Sequence, residues 1–387
     1  MPLAYSSVLS PKNSIVPGRA EDLASALAAA ASARQTITLG GRFSKNRMAG
    51  PIGPSDVTIS TVNLNRLLSY EPNDLTVSVE AGMQYSELSR VLAANRQMVP
   101  LDPPFAEQST VGGVVATNSS GPRRRLYGTA RDLVIGMTFA TLEGKLVKTG
   151  GMVVKNVAGL DMGKLMIGSF GTLAAIAVVN FKVLPMPQVD RLFLLSFDAI
   201  EQAIAARDQI LKSTLQPASI DLFNRIASKR VGWHGCVLAV RAAGNAAVVD
   251  RYQKELAALG SLEIGDAGVQ SCIQEFTPRF LASHENGAVV RISFTLSQLG
   301  EVLRTVNAPI LARAGTGVCY AYFEDATAAA EVAGRTRNAI IDFAPESQKP
   351  KLKLWPAPGP DFELMKRIKQ MFDPEHLLNR GRLYSQL

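Results

Sequence analysis

The chain has 387 residues, 47% of them hydrophobic and 19% charged, and its net charge is +8. That length exceeds what one hydrophobic core usually supports, so two compact units are expected, and the balance excludes a disordered chain. No run reaches the roughly 18 uninterrupted apolar residues that cross a bilayer. Met1 to Pro17 lacks a basic-then-apolar signal pattern, so a cytoplasmic location is the expectation.

The positive charge suits an anionic ligand, an acidic partner or a negative membrane surface. Nucleic acid fits less well, because the basic residues are dispersed and aromatics make up only 6%. Cys236, Cys272 and Cys319 are far apart, as are His234, His284 and His376, and none has metal-ligand spacing. A protein-held metal is not expected, so the chemistry would need an organic cofactor or a partner subunit.

In chain order, Glu21 to Arg34 reads as a helix with Leu23, Ala26, Leu27 and Ala30 at helical spacing. A strand Thr36 to Leu39 leads into the loop Gly40-Gly-Arg-Phe-Ser-Lys-Asn46. Strand signals recur at Val57 to Val62 and at Leu75 to Glu80, where Leu75, Val77 and Val79 alternate with Thr76, Ser78 and Glu80. Tyr85 to Asn95 is helical, with Leu88, Val91 and Leu92 on one face. Pro100 to Gly128 is a long turn-rich segment of the kind that is normally functional. A hairpin follows (Leu133 to Thr141, Lys145 to Lys148, turning at Glu143-Gly144), then a β-type run from Ala174 to Leu184.

Pro185 and Pro187 mark a linker. Beyond it, helices at Ala199 to Leu211, Ala247 to Leu259 and Ala326 to Phe343 interleave with strands such as Val237 to Arg241 and Val289 to Phe294. That alternation predicts an antiparallel sheet covered on one face. An amphipathic helix and the run Phe372 to Arg382 close the sequence. The expected division is 1–187, 188–348 and 349–387, the last segment returning to the first domain, in an α+β architecture.

Four segments bear on a ligand. In Gly40-Gly41-Arg42-Phe43-Ser44-Lys45, glycines after a strand let backbone N–H groups turn toward a phosphate, and Ser44 adds a hydroxyl; an ordinary turn is the alternative. It is neither a Rossmann Gly-x-Gly-x-x-Gly nor a P-loop. The run Ser109-Thr-Val-Gly-Gly-Val-Val-Ala-Thr-Asn118 has the small residues and hydroxyls that let a chain pass close to a flat or charged ligand, or else is a structural loop. Gly150 to Gly159 and Lys164 to Leu173 punctuate a helix with glycine on both sides. The fourth segment is Leu378-Asn379-Arg-Gly-Arg382.

In this order the four segments resemble the FAD-binding domain of the vanillyl-alcohol oxidase superfamily, over about the first 185 residues and the last 30. The third segment is similar to the family's Lys-x-x-x-Gly-Tyr-Asp … Gly-Ser-x-Gly-Thr-Leu pattern. The run Gly121 to Asp132 and the Phe-Asp-Pro…Leu-Asn-x-Gly-Arg-Leu-Tyr ending resemble the smaller flavin subunits of bacterial glycolate oxidase complexes. The resemblance implies a two-subdomain PCMH-type FAD domain with a smaller α+β cap domain. It implies that Gly40 to Lys45 form the pyrophosphate loop and that Ser109, Thr110, Gly112, Gly113 and Asn118 form a second phosphate and flavin wall. Gly168, Gly171, Thr172 and Ile176 would run past the adenosine end, with Asn379 near the isoalloxazine ring. Leu160 replaces the usual Tyr, and Arg380 the usual Pro.

The family's covalent members attach flavin through a His or Cys in the first two segments. Neither residue occurs before position 234, so the FAD is expected to be dissociable. The resemblance further implies oxidation of glycolate or another 2-hydroxy acid, with a larger flavin subunit and an iron–sulfur subunit as partners and membrane contact only through them. Candidates for the substrate carboxylate and a base are Arg291, His284 and Arg241. Related dehydrogenases place metal-ligating histidines in the cap domain. That pair is missing here, which leaves open a flavin relay or assembly subunit, or a free-standing oxidase.

Overall fold

The computed structural model describes residues 13–152 and 161–387. The Val153 to Leu160 half of the third sequence segment, including Leu160, lies outside them. The chain divides into two units. The first comprises residues through Ser120, Thr129–Met186 and Ala357–Leu387, and the second Gly121–Gly128 and Pro187–Pro356. The chain therefore changes unit at Met186 and Pro356, against 187 and 348 read from the sequence. It also sends Gly121–Gly128 into the second unit, an excursion that the sequence reading left within the first.

In the first unit, the helix Ala20–Ser32 buries Leu23, Leu27 and Ala30, four and three residues apart and so on one face. That face packs with Ile37, Ile59 and Leu378. Leu23 and Leu27 are 0% exposed, and burying each contributes about 1.5–3 kcal/mol. The strand Val57–Ser60 lies between Ser14–Ile15 and Ile37–Gly40, and both pairings are parallel. A five-stranded antiparallel sheet runs in the order Leu67–Glu71, Thr76–Glu80, Ala175–Lys182, Val134–Ala140, Leu146–Gly150. Its Val77, Val79, Val179 and Phe181 pack with Leu88 and Leu92 of the helix Tyr85–Ala93.

Alternation in Thr76–Glu80 separates the two faces, yet all five residues are buried. The polar positions are satisfied by partners instead of water. Ser78 donates to Asn180 Oδ1 at 2.7 Å, and Glu80 accepts from Arg66 Nη2 at 2.7 Å. This is how polar groups in a covered sheet avoid the cost of unpaired burial.

The second unit is built on an eight-stranded antiparallel sheet. Its strands run in the order Ser261–Gly265, Val189–Phe197, Cys236–Gly244, Ser219–Phe223, Ile310–Arg313, Val318–Phe323, Ala288–Ser293, Ala339–Phe343. Helices Ile200–Lys212, Ala246–Ala257 and Ala326–Arg335 pack on it. Alternate strand residues such as Leu195, Leu222, Leu238, Val290 and Ala321 face this core.

Two stretches differ from the sequence reading, and the turn-rich segment Pro100 to Gly128 is one, since it contains the helices Val111–Ala116 and Arg124–Tyr127. The helix expected over Ala326 to Phe343 stops at Arg335, and Ala339–Phe343 is a strand. Asn338 at φ 58° turns the chain, and the β-branched pair Ile340-Ile341 suits the sheet that the turn delivers it to.

Candidate functional site

The site lies within the first unit, where three segments distant in sequence converge. The strand Ile37–Gly40 runs out into the loop at Gly41. Thr61 N donates to Gly40 O at 2.9 Å, and Ser60 Oγ to Gly41 O at 2.9 Å. Opposite stands Thr110, whose Oγ1 accepts from Gly113 N at 3.2 Å and caps the helix Val111–Ala116. The two loops touch so closely that a Cβ on Gly41 would lie 2.3 Å from Thr110 Oγ1. A Cβ on Gly112 would lie 2.7 Å from that of Ala81. These two glycines are demanded by packing of the protein against itself.

Gly113 differs. A Cβ there would meet only Thr110 Oγ1, at 3.1 Å. The space beyond is the cavity, which is open on one side.

Beneath the loops lies a buried polar knot. Lys45 Nζ donates to Ser109 Oγ at 2.6 Å, and Ser44 Oγ is 3.2 Å from the same hydroxyl. Ser109 is 0% exposed, so it holds Lys45 in place and does not itself line the cavity.

The third segment is C-terminal. Asn379 uses its whole amide: Oδ1 accepts from Leu39 N at 2.7 Å, while Nδ2 donates to Leu39 O at 3.0 Å and Phe170 O at 2.8 Å. Its φ of 44° is left-handed, a region that Asn tolerates better than most residues. Arg382 donates to Gly50 O at 2.6 Å and places its guanidinium 5.7 Å from the Phe170 ring centroid. The segment is anchored by Lys369, whose Nζ reaches Asp373 Oδ2 at 2.6 Å, Thr172 O at 2.8 Å and Leu378 O at 3.0 Å. Burial pushes the Lys369 ammonium below its usual pKa, and Asp373 opposes that shift.

Of the residues singled out in the sequence, Gly40 to Lys45, Thr110, Gly112, Gly113, Gly171, Ile176 and Asn379 line this cavity. Ser109, Asn118, Gly168 and Thr172 do not. Gly168 and Thr172 face a second cavity beside Lys369. Asn118 holds a buried amide oxygen with no hydrogen-bond partner among the described residues, a group that a ligand can satisfy. The sequence reading missed the apolar walls Leu39, Ala174 and Phe170, and also Arg382. Of these, Phe170 and Arg382 stood in quoted motifs.

None of the residues proposed for substrate handling lines this cavity; all lie in the second unit. Arg241 is held bidentately by Asp190, with both contacts at 2.7 Å. His284 stacks on Phe280, centroids 4.4 Å apart, with Nε2 3.4 Å from Glu324. Arg291 Nε lies 3.7 Å from Asp342. Arg241 and His284 thus have structural partners that account for them.

Comparison with known proteins accords with the cavity. Residues 11–150 match the FAD binding domain family and residues 356–383 the C-terminal domain of FAD linked oxidases. The chain is 29% identical over 331 residues to glycolate oxidase subunit GlcE of Escherichia coli (strain K12), covering 83% of this chain and 85% of that protein. It is 32% identical over 169 residues to a D-lactate dehydrogenase of Anaerostipes hadrus, but covers only 35% of it. A solved alkyldihydroxyacetonephosphate synthase superposes with a TM-score of 0.71 over 95% of this chain and 75% of that one. At 18% identity, that likeness concerns the fold alone. The room left at Gly113, the Lys45 ammonium and the apolar walls fit a long ligand with a flat ring and a charged middle. On these grounds the chain carries an FAD binding domain and is an FAD-linked oxidoreductase.

Proposed function

We propose that the chain is the FAD-binding subunit of a cytoplasmic 2-hydroxy acid dehydrogenase complex, that it oxidises glycolate, and that its electrons pass to an iron–sulfur partner. The observation that carries this reading is the cavity built by Gly40 to Lys45, Thr110, Gly112, Gly113 and Asn379, in a chain that aligns with 85% of the length of a glycolate oxidase subunit at 29% identity. The names of further relatives, D-lactate and D-2-hydroxyglutarate dehydrogenases, point to the same substrate class. Among the described residues no helix is long and apolar enough to cross a membrane.

Bound FAD supplies the two-electron acceptor. The chain's own residues supply position and charge. The loop from Gly41 to Lys45 would hold the cofactor's phosphates, and the lack of a side chain at Gly113 would leave room for them on the facing wall. The ammonium of Lys45, fixed by Ser109, lends positive charge to that side. Asn379 spends its amide on Leu39 and Phe170, and so sets the distance between two cavity walls. Ile176 and Leu39 give an apolar surface for the ring system. Among the described residues no His or Cys lines the cavity, which supports a dissociable cofactor.

Stopped-flow reduction of the FAD-loaded chain by glycolate and D-lactate, alone and with its partner subunits, tests this reading. Bleaching by a 2-hydroxy acid in either setting supports it. If flavin in this chain stays oxidised with every 2-hydroxy acid even in the assembled complex, the chain is a relay or assembly subunit.

A further inference from the structure

In the first unit, the helix Phe362–Phe372 turns Phe362 and Lys369 inward, at 5% and 1% exposure. Its other side carries Leu364 and Met371, 60% and 79% exposed, the two most exposed large apolar side chains among the described residues. They stand seven positions apart with the half-buried Ile368 between them, so the three form one ridge along the helix. Side chains this exposed add little to the unit's own core.

Ile368 also lines the second cavity of this unit, with Met365, Leu165, Leu173 and Leu383. The cation in that lining, Lys369, is spent on Asp373, Thr172 O and Leu378 O. The cavity is therefore an apolar seat beside the ridge. Residues 168–174 form a wall that it shares with the cofactor cavity. Gly168, Ser169, Thr172 and Leu173 face the seat, whereas Phe170, Gly171 and Ala174 face the cofactor side. A single stretch of chain thus separates an occupant of the seat from the cofactor site.

Charge narrows what can sit there. Lys366 is paired with Glu363 at 3.0 Å. Arg367 is exposed and makes no ion pair among the described residues, and it lies three positions from Leu364 and four from Met371. A two-fold pairing of the ridge with its own copy sets Arg367 against Arg367, which repels. An anionic bilayer calls for several free cations, and this helix offers one. A protein segment with apolar side chains and a carboxylate matches both the ridge and the arginine. We propose that Leu364, Ile368 and Met371, with the seat beside them, dock the electron-accepting partner subunit. The partner's segment presents an apolar anchor to the cavity and a carboxylate to Arg367. This inference rests on the functional reading above for the existence of that partner, and adds the face on which it binds.

The test is sedimentation velocity of the full FAD-loaded chain with the purified iron–sulfur subunit. The wild-type chain should associate with it. Met371→Asp and Arg367→Glu should each weaken association at least tenfold, with FAD content and melting temperature unchanged, while Met371→Leu keeps the wild-type affinity. Wild-type affinity in Met371→Asp or in Arg367→Glu overturns the proposal. So does a dimer of the chain alone, or its binding to phosphatidylserine vesicles, that Met371→Asp abolishes. Loss of FAD or early melting in these variants also overturns it, because the ridge would then belong to the fold. Association that neither substitution weakens sinks only this docking face. If the wild-type chain does not associate with the iron–sulfur subunit at all, the complex reading falls and the docking face with it.

Discussion

Lys369 and Asp373, one helical turn apart, form an ion pair of 2.6 Å in which neither side chain is more than 1% exposed. Asp373 also accepts from Leu377 N at 2.9 Å and Leu378 N at 2.8 Å, and so closes the turn that presents Asn379. Removing one member strands the other charge in the interior, which typically costs about 3–5 kcal/mol. Lys369→Met and Asp373→Asn should therefore lower the melting temperature of the first unit and reduce FAD occupancy together. Wild-type melting in both variants would show that the pair is not what holds the C-terminal segment.

Asn379→Asp removes the two donor bonds to Leu39 O and Phe170 O and sets a carboxylate beside those carbonyls. Buried acceptors left without donors cost about 1–3 kcal/mol each. FAD affinity should fall at least tenfold, read by fluorescence titration of the apoprotein. An unchanged Kd would remove Asn379 from the site.

The glycines at 41 and 113 separate two effects that the sequence alone merges. Gly113→Glu projects a carboxylate into the cavity and meets little protein, so the apoprotein should melt normally and carry no flavin. Gly41→Asp collides with Thr110 and should destabilise the loops as well. Full FAD occupancy in Gly113→Glu is the outcome that contradicts the phosphate assignment.

Non-covalent attachment is checked by acid precipitation of the yellow protein. All absorbance near 450 nm should appear in the supernatant. Colour retained in the pellet after washing would mean a covalent link.

The thiols give a readout of the second unit. Cys319 is 0% exposed, and burial raises its pKa to about 12; the buried Cys236 is raised too. Neither should react with a thiol reagent at pH 8 until the unit unfolds, leaving Cys272 as the slow reactive position. A raised thiol pKa means that the unfolded chain releases the proton first. The stability of this unit should therefore decline from pH 9, the ordinary thiol value, toward 12. Rapid labelling of all three cysteines in native protein would contradict this burial.

Much of the first unit could be read locally. The helix at Ala20–Ser32, the strand-to-loop passage into Gly41 and the hairpin around Gly144 follow from side-chain period and turn chemistry, which act over a few residues. The ligand loops were legible because small residues and hydroxyls crowd in them. The helix at Ala326 was extended eight residues too far, because an Ala-rich run hides its own end when the stop is Asn338 and not proline.

By itself, then, the sequence determined the α+β class, the segments that line the cavity and the absence of a His or Cys before position 234. Each of these is a property of short stretches. Tertiary structure decided which groups are spent and which are left over. Arg241 became the partner of Asp190 across 51 positions, Asn379 became the clamp on Leu39 across 340, and Gly121–Gly128 joined the second unit. The pairing of a charge depends on neighbours that the chain brings together only when both units fold, and no local pattern encodes that distance.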